Sequence, residues 1–307
     1  MVYIRMTMSK EILVIGGGGN VGYGVVRGLK NRGEGVTIGE RRETAGEGGT
    51  FVDILERESI RAALDKIAPD LIVHLAAATD VNRCEREPEW ASELNVVGTE
   101  NVLLEAQGIP VVYFSTDFVF SGRSGHLVTE GEQPDPVSVY GKTKYEGERV
   151  VLDMPGGLVV RISFPWYRRV DHRENPALKD TLWWFGNTLA KGEDVFAYTN
   201  VVGTWTAMEE LERKFADVVE EMINRGIRII HLAGSISESP HAVAQAVRRR
   251  LEAEGGVDLG NVNAAELVPV VGQVAQRPGA GGLDTALARS LGWSQENAVK
   301  MIEKGEW

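Results

Sequence analysis

The chain has 307 residues, 43% hydrophobic and 25% charged, which allows a substantial core and one or two domains. Lys and Arg total 33 against 44 Asp and Glu, a formal charge of -11 that speaks against nucleic acid or an anionic membrane as partner. The single cysteine, Cys84, excludes an intrachain disulfide framework and a multi-cysteine zinc site. No apolar run reaches the ~20 residues of a membrane span. The start, MVYIRMTMSK, lacks the apolar stretch of a secretory signal, so a cytoplasmic protein is expected.

The run EILVIG at 11–16 reads as a strand ending in glycines, and 20–31 has helical spacing at Val21, Val25 and Leu29. GVTIG at 35–39 is a second strand, and 59–67 a helix stopped by Pro69. DLIVHLAAA at 70–78 lacks polar alternation, as a strand covered on both faces does. Pro88 opens a helix predicted to run to about Gln107, followed by a strand at 110–116, a helix at 138–152 and a strand at 157–163. Beyond Ser163 the alternation loosens, then resumes with a helix at 207–224 and a strand at 228–234. The pattern predicts an α/β fold with a Rossmann-like, doubly wound parallel sheet. Its dinucleotide-binding domain is expected over 1–162 and 201–232, and a smaller C-terminal substrate lobe over 163–200 and 233–307.

Between the first strand and first helix lies GGGGNVG, with Gly16, Gly19 and Gly22 three apart and Asn20 and Val21 among them. A tight turn, a close phosphate and close helix packing each favour a residue without a Cβ, and the helix start offers free N–H groups to a pyrophosphate. After the second strand comes Glu40-Arg41-Arg42. An acid there binds a ribose 2′-hydroxyl, as in NAD, whereas arginine pairs with a 2′-phosphate, as in NADP. Two guanidiniums beside one carboxylate lean towards NADP(H), with NAD(H) still open. Asp53 is placed to accept from the adenine amino group or to cap the following helix.

Ser115-Thr116-Asp117 ends a buried strand, where ligands of open parallel sheets collect. Tyr140 and Lys144 stand four apart, on one face of a helix. An ammonium near the phenol is expected to lower its pKa, leaving the hydroxyl able to protonate a developing alkoxide, while Thr116 or Ser115 polarises a carbonyl. The five histidines show no close metal-ligand spacing, and no Gly-x-Ser-x-Gly elbow or Walker lysine is present.

These residues resemble the extended short-chain dehydrogenase/reductase superfamily, and within it the dTDP-4-dehydrorhamnose reductase family. The likeness is carried by GGGGNVG, AAATDVNRCEREP from Ala76, LNVVGTENV with Asn95, FSTDFVFSG, the long stretch around YGKTK, VVRIS, and AQRPGAGGLD near the end. It implies reduction of the 4-keto group of a dTDP-deoxysugar, with Tyr140 as proton donor, Lys144 supporting it and the nicotinamide ribose, and Thr116 on the sugar carbonyl. It further places Ala76 and Ala77 against the cofactor, Asn95 beside the helix of Lys144, and Ser115, Asp117, Phe164, Trp166 and Arg277 towards the substrate. The family's tryptophan after Arg-x-Ser is Phe164 here, its third-strand-loop Asp is Asn82, its Gly-x-Pro-Thr reads Gly203-Thr-Trp205-Thr206, and its C-terminal serine is Gly281. Another nucleotide sugar therefore stays open, as do a sugar-nucleotide epimerase and a non-catalytic NADP-binding subunit like the regulatory subunit of methionine adenosyltransferase. The expected partner is a nucleotide-sugar substrate, with a homodimer admitted.

Overall fold

A computed structural model describes residues 9–41, 49–168, 171, 175, 178–270, 272–279 and 281–307. The strands form a seven-stranded parallel sheet whose central members, Leu71–His74, Val111–Thr116 and Gly157–Ile162, are buried throughout, covered on both faces by crossover helices. Its strands are β1 (Glu11–Ile15), β2 (Gly35–Glu40), β3 (Gly49–Phe51), β4 (Leu71–His74), β5 (Val111–Thr116), β6 (Gly157–Ile162) and β8 (Ile229–His231), in the order β3-β2-β1-β4-β5-β6-β8. The chain moves outward from β1 to β3 and then returns to the other side of β1 at β4. That reversal opens a crevice at the C-terminal strand ends, between the turns after β1 and β4.

Along the chain the helices are α1 (Asn20–Asn31), α2 (Arg57–Ile67), α3 (Val81–Arg86), α4 (Pro88–Ser92), α5 (Gly98–Ala106), α6 (Val139–Asp153), α7 (Thr181–Ala190), α8 (Met208–Arg225), α9 (Pro240–Ala253), α10 (Ala286–Ser290) and α11 (Ala298–Lys304). One face of the sheet packs Val14, Val73 and Val160 against Val25, Met208 and Phe215 of α1 and α8. The other packs Leu13, Ile15 and Ile72 against Ile60, Leu64 and Val102 of α2 and α5. A separate apolar cluster of Trp166, Phe185, Trp205, Val247, Ile302 and Trp307 forms a second core. Among the described residues no helix is long and apolar enough to cross a membrane.

The helix expected from Pro88 to about Gln107 is interrupted by a wide π-turn at Glu93–Val97. Asn95 sits in that turn, its side chain bonded to both the N–H and the C=O of Ala78 at 2.7 and 3.2 Å, and Thr99 Oγ1 donates to its carbonyl at 2.8 Å. These bonds offset the lost helical geometry, and such π-turns cluster at functional sites. A separate two-stranded parallel sheet pairs β7 (Val195–Tyr198) with β9 (Val262–Ala265), neither of which is expected from the sequence. Each strand is four residues long and finds its partner 67 residues away, so no local pattern announces it.

Candidate active site

The glycine turn has the backbone its spacing predicts. Gly16 has φ +84°, and a Cβ there would lie 2.7 Å from the Ala76 nitrogen. A Cβ on Gly22 would lie 2.5 Å from the Gly16 carbonyl oxygen. Helix α1 starts after Gly19 without a side-chain cap, which leaves its first N–H groups for a ligand. Gly16, Gly19, Asn20, Val21 and Gly22 line one end of a cavity of about 560 Å³ whose other end is lined by Ser115, Thr116, Asp117, Tyr140, Lys144 and Phe164. A second cavity of about 360 Å³ shares Gly16, Ala76 and Ala77 and runs on to Glu40, Arg41 and Asp53. Bare backbone in the middle, open helix amides and polar groups at both ends fit an extended dinucleotide. Two predicted contacts carry other duties as well. The Asn20 side chain donates to the Lys179 carbonyl at 2.6 Å, and Asp53 Oδ1 accepts from Leu55 N at 3.0 Å, closing a turn; α2 is entered through Glu56 instead. Arg42 lies outside the described residues.

Helix α6 is aimed by three local features. Ser138 caps it, its Oγ accepting from Gly141 N at 3.1 Å. Gly141 lets the first turn press on the short 3-10 turn Asp117–Val119 that follows β5, since a Cβ would lie 2.1 Å from the Phe118 carbonyl. Gly147 lets the helix lie against Tyr113, whose hydroxyl a Cβ would meet at 2.5 Å. Tyr140 thereby opens on the crevice, edge-on to Phe118 at 5.4 Å. Lys144 is buried at 3% exposure; its Nζ donates to the Phe114 carbonyl at 2.7 Å and lies 3.9 Å from the centre of the Tyr113 ring.

Burial pulls the Lys144 ammonium down to about 7, with the Glu148 charge acting the other way. Burial pushes the Tyr140 phenol upward, against the hydrogen bond from Thr116. This corrects the expectation that Lys144 lowers the phenol's pKa. The ammonium is directed at the Phe114 carbonyl and the Tyr113 ring, so desolvation governs Tyr140.

Thr116 Oγ1 donates to Asp117 Oδ1 at 3.1 Å, and Ser163 Oγ donates to Asp117 Oδ2 at 2.5 Å. The buried Asp117 carboxyl is raised to about 6 by desolvation, which the bonds from Ser163 and Thr116 partly offset. Ser115 Oγ is buried with no hydrogen-bond partner. Asn95 Nδ2 reaches Thr143 Oγ1 at 3.0 Å, next to Lys144, as the resemblance implies. Phe164 adopts φ +39° and stacks on Trp205 at 4.7 Å. Trp166, expected on the substrate, is 1% exposed in the lobe cluster and does not line the crevice. Trp166 exchanges backbone bonds with Thr206 and Met208, which turns its side chain into the lobe. Arg277 donates to Asn82 Oδ1 at 3.3 Å and to the Ala275 carbonyl at 3.1 Å, and no ion pair holds it among the described residues.

Sequence reasoning missed a buried network directly behind Lys144. Arg161 donates to both oxygens of Glu148 at 2.9 and 2.7 Å and to His231 Nε2 at 3.2 Å. Two signals were available: an arginine inside the apolar strand VVRIS, and Glu148 four residues beyond Lys144.

Residues 10–301 match the family model described as the RmlD substrate binding domain. A probable low-salt glycan biosynthesis reductase, Agl14, from Haloferax volcanii is 31% identical over 237 residues, 74% of this chain and 75% of that protein. The methionine adenosyltransferase 2 subunit beta of Xenopus tropicalis is 39% identical over 115 residues, 36% of this chain and 34% of that protein. The fold is that of a dTDP-4-dehydrorhamnose reductase from Bacillus anthracis crystallised in complex with NADP, with a TM-score of 0.80, 21% identity, and 97% of this chain and 98% of that one covered. The chain belongs to the RmlD substrate-binding-domain family.

Proposed function

We propose that this protein is a nicotinamide-dinucleotide-dependent reductase of the 4-keto group of a nucleotide-linked deoxysugar, of the dTDP-4-dehydrorhamnose type. The observation that carries this reading is one crevice lined both by the glycine turn and by Thr116, Tyr140 and Lys144. A bound NADP(H) or NAD(H) supplies hydride to the carbonyl carbon. Gly16, Gly19, Asn20, Val21 and Gly22 hold the pyrophosphate on backbone amides, with Ala76 and Ala77 forming the opposite wall. Glu40, Arg41 and Asp53 flank the adenosine end.

Tyr140 delivers the proton to the carbonyl oxygen. A phenol whose pKa is raised stays protonated at neutral pH, the form that reduction consumes. Thr116 lines the same crevice as the phenol and helps to fix where the carbonyl oxygen sits. Lys144, charged below about pH 7, supplies positive potential beneath the developing alkoxide. Asn95 and Thr143 brace the helix that carries it. Ser115, Asp117 and Phe164 line the substrate end, and Arg277, with no ion pair among the described residues, offers a guanidinium to the nucleotide diphosphate.

The test is oxidation of NADPH and NADH, followed by absorbance, with dTDP-4-dehydrorhamnose and with other 4-keto nucleotide sugars. Turnover with at least one of them is expected. Tight dinucleotide binding without turnover on any of them overturns the reductase and leaves a second reading, a non-catalytic dinucleotide-binding subunit. The segment shared with the methionine adenosyltransferase subunit favours that second reading.

A further inference from the structure

The opening turn of α1, Asn20 to Gly24, is weak by composition. No side chain caps it, no acidic residue stands in it, and Gly22 and Gly24 occupy helical positions. Glycine loses much backbone freedom in a helix, and an uncapped end frays. A capping side chain at position 19 would stabilise the turn, but only by occupying amides that a ligand needs. The fold supplies support from the side instead. Tyr167, 2% exposed, accepts from Gly24 N at 2.8 Å and donates to the Asn20 carbonyl at 2.5 Å through one hydroxyl. Gly24 admits that hydroxyl, since a Cβ there would lie 2.9 Å from the Tyr167 oxygen. The Asn20 side chain adds a second tie, to the Lys179 carbonyl. Tyr167 is itself fixed: its N–H donates to Asp180 Oδ2 at 2.8 Å, while Asp180 Oδ1 caps α7 by accepting from Trp183 N at 2.9 Å. Burial pushes the Tyr167 phenol upward, so the donor is kept at neutral pH. Tyr167 itself is not among the residues that line either cavity of the site.

We propose that Tyr167 is a positioning residue for the dinucleotide: its hydroxyl clasps the opening turn of α1 from the side and holds the free amides in place for the pyrophosphate. This rests on the dinucleotide reading above and adds to it a residue that acts from behind the turn. A turn that is open part of the time binds only while it is formed, so the apparent affinity falls with the fraction formed. The clasp raises that fraction and leaves the ligand's amides uncovered. Asn20 and Gly24 stand four apart, the spacing that the helix ladder itself joins, so one hydroxyl closes the turn across a single pair.

Calorimetric titration with NAD+ and NADP+, beside amide hydrogen exchange followed by NMR, tests this without turnover. Tyr167→Phe keeps the ring in the core and removes one oxygen. The dinucleotide that the wild type binds should bind about three- to tenfold more weakly to this variant. Exchange at Gly24 should quicken while the last turn of α1 is unchanged, and saturating dinucleotide should restore the protection. Gly24→Ala separates the clasp from helix propensity. Alanine favours a helix over glycine, so on propensity alone binding tightens or holds. A methyl that displaces the hydroxyl weakens binding instead, by about the same factor. The nearby Met208 Cε, at 2.8 Å from that methyl, ends a flexible side chain, and Gly24→Ala should cost nothing further once Tyr167 is phenylalanine. A Tyr167→Phe protein that melts lower yet binds the dinucleotide as tightly as the wild type makes Tyr167 a packing residue and overturns the proposal. Tighter binding in Gly24→Ala overturns it equally. A wild type that binds neither dinucleotide is a distinct result, which takes down the dinucleotide reading and this proposal together.

Discussion

Two buried cations, Arg161 on β6 and Lys144 on α6, are treated by the protein in opposite ways. Arg161, on the interior side, has both Glu148 oxygens within 2.9 Å, a His231 nitrogen at 3.2 Å and the Phe120 ring at 5.0 Å. Lys144, on the crevice side, is held by the Phe114 carbonyl and the Tyr113 ring face, with no ion pair among the described residues. A buried cation with a bonded counter-ion is settled, whereas one without it is destabilised and gives up its proton more readily. Lys144 accordingly falls to about 7. Both nearby histidines are pushed to about 3, each mainly by burial and then by its neighbouring cation, Lys144 for His74 and Arg161 for His231, so neither competes for the proton. The contrast marks where the fold spends its charge on structure and where it holds charge in readiness.

Four experiments break or sharpen that contrast. Tyr140→Phe removes the proton donor on the crevice side; kcat with a 4-keto nucleotide sugar should fall about 10²- to 10⁴-fold, while titration shows dinucleotide affinity nearly unchanged. Full activity in this variant removes Tyr140 from the chemistry. Glu148→Ala strands Arg161 in the interior, and urea unfolding should show a loss of about 3–5 kcal/mol. A loss below about 1 kcal/mol is what an exposed ion pair gives, and would make the two cations equivalent.

Lys144→Met tests the other member. Below pH 7 folded and unfolded lysine both carry the proton; between about 7 and 10.5 only the unfolded one does, so wild-type stability gains with rising pH in that window. The methionine variant lacks this gain. Its stability relative to wild type should therefore be greatest near pH 6 and shrink towards pH 9, by on the order of 1–3 kcal/mol in paired denaturation curves. A difference independent of pH means that Lys144 is not held under strain. The smallest effect is expected from Ser138→Ala, about 1 kcal/mol by thermal unfolding, because one cap orients the helix that carries Tyr140 and Lys144.

The sheet was legible in the sequence, since its central strands are uninterrupted apolar runs and its first turn has glycines at fixed intervals. The same local rules located Thr116, Tyr140 and Lys144, which the fold brings to one crevice as expected. What local rules got wrong was direction. Lys144 and Tyr140 share a helix face, yet the lysine leans on Phe114 and Tyr113, and Trp166 points into the lobe. Neither orientation has a sequence signal, because each depends on atoms from strands and loops far away in the chain. The π-turn at Asn95 and the short β7–β9 sheet were hidden for the same reason.

From sequence alone came the alternation of strands and helices, the glycine turn and the residue types of the site. These follow from periodicity and from the steric freedom of glycine, which act over a few neighbouring residues. Only the tertiary structure decided the pairing of Arg161 with Glu148 and the lack, among the described residues, of a bonded counter-ion at Lys144. Electrostatics inside a protein depends on what is excluded and what is adjacent in space, and the order of residues along the chain does not specify either.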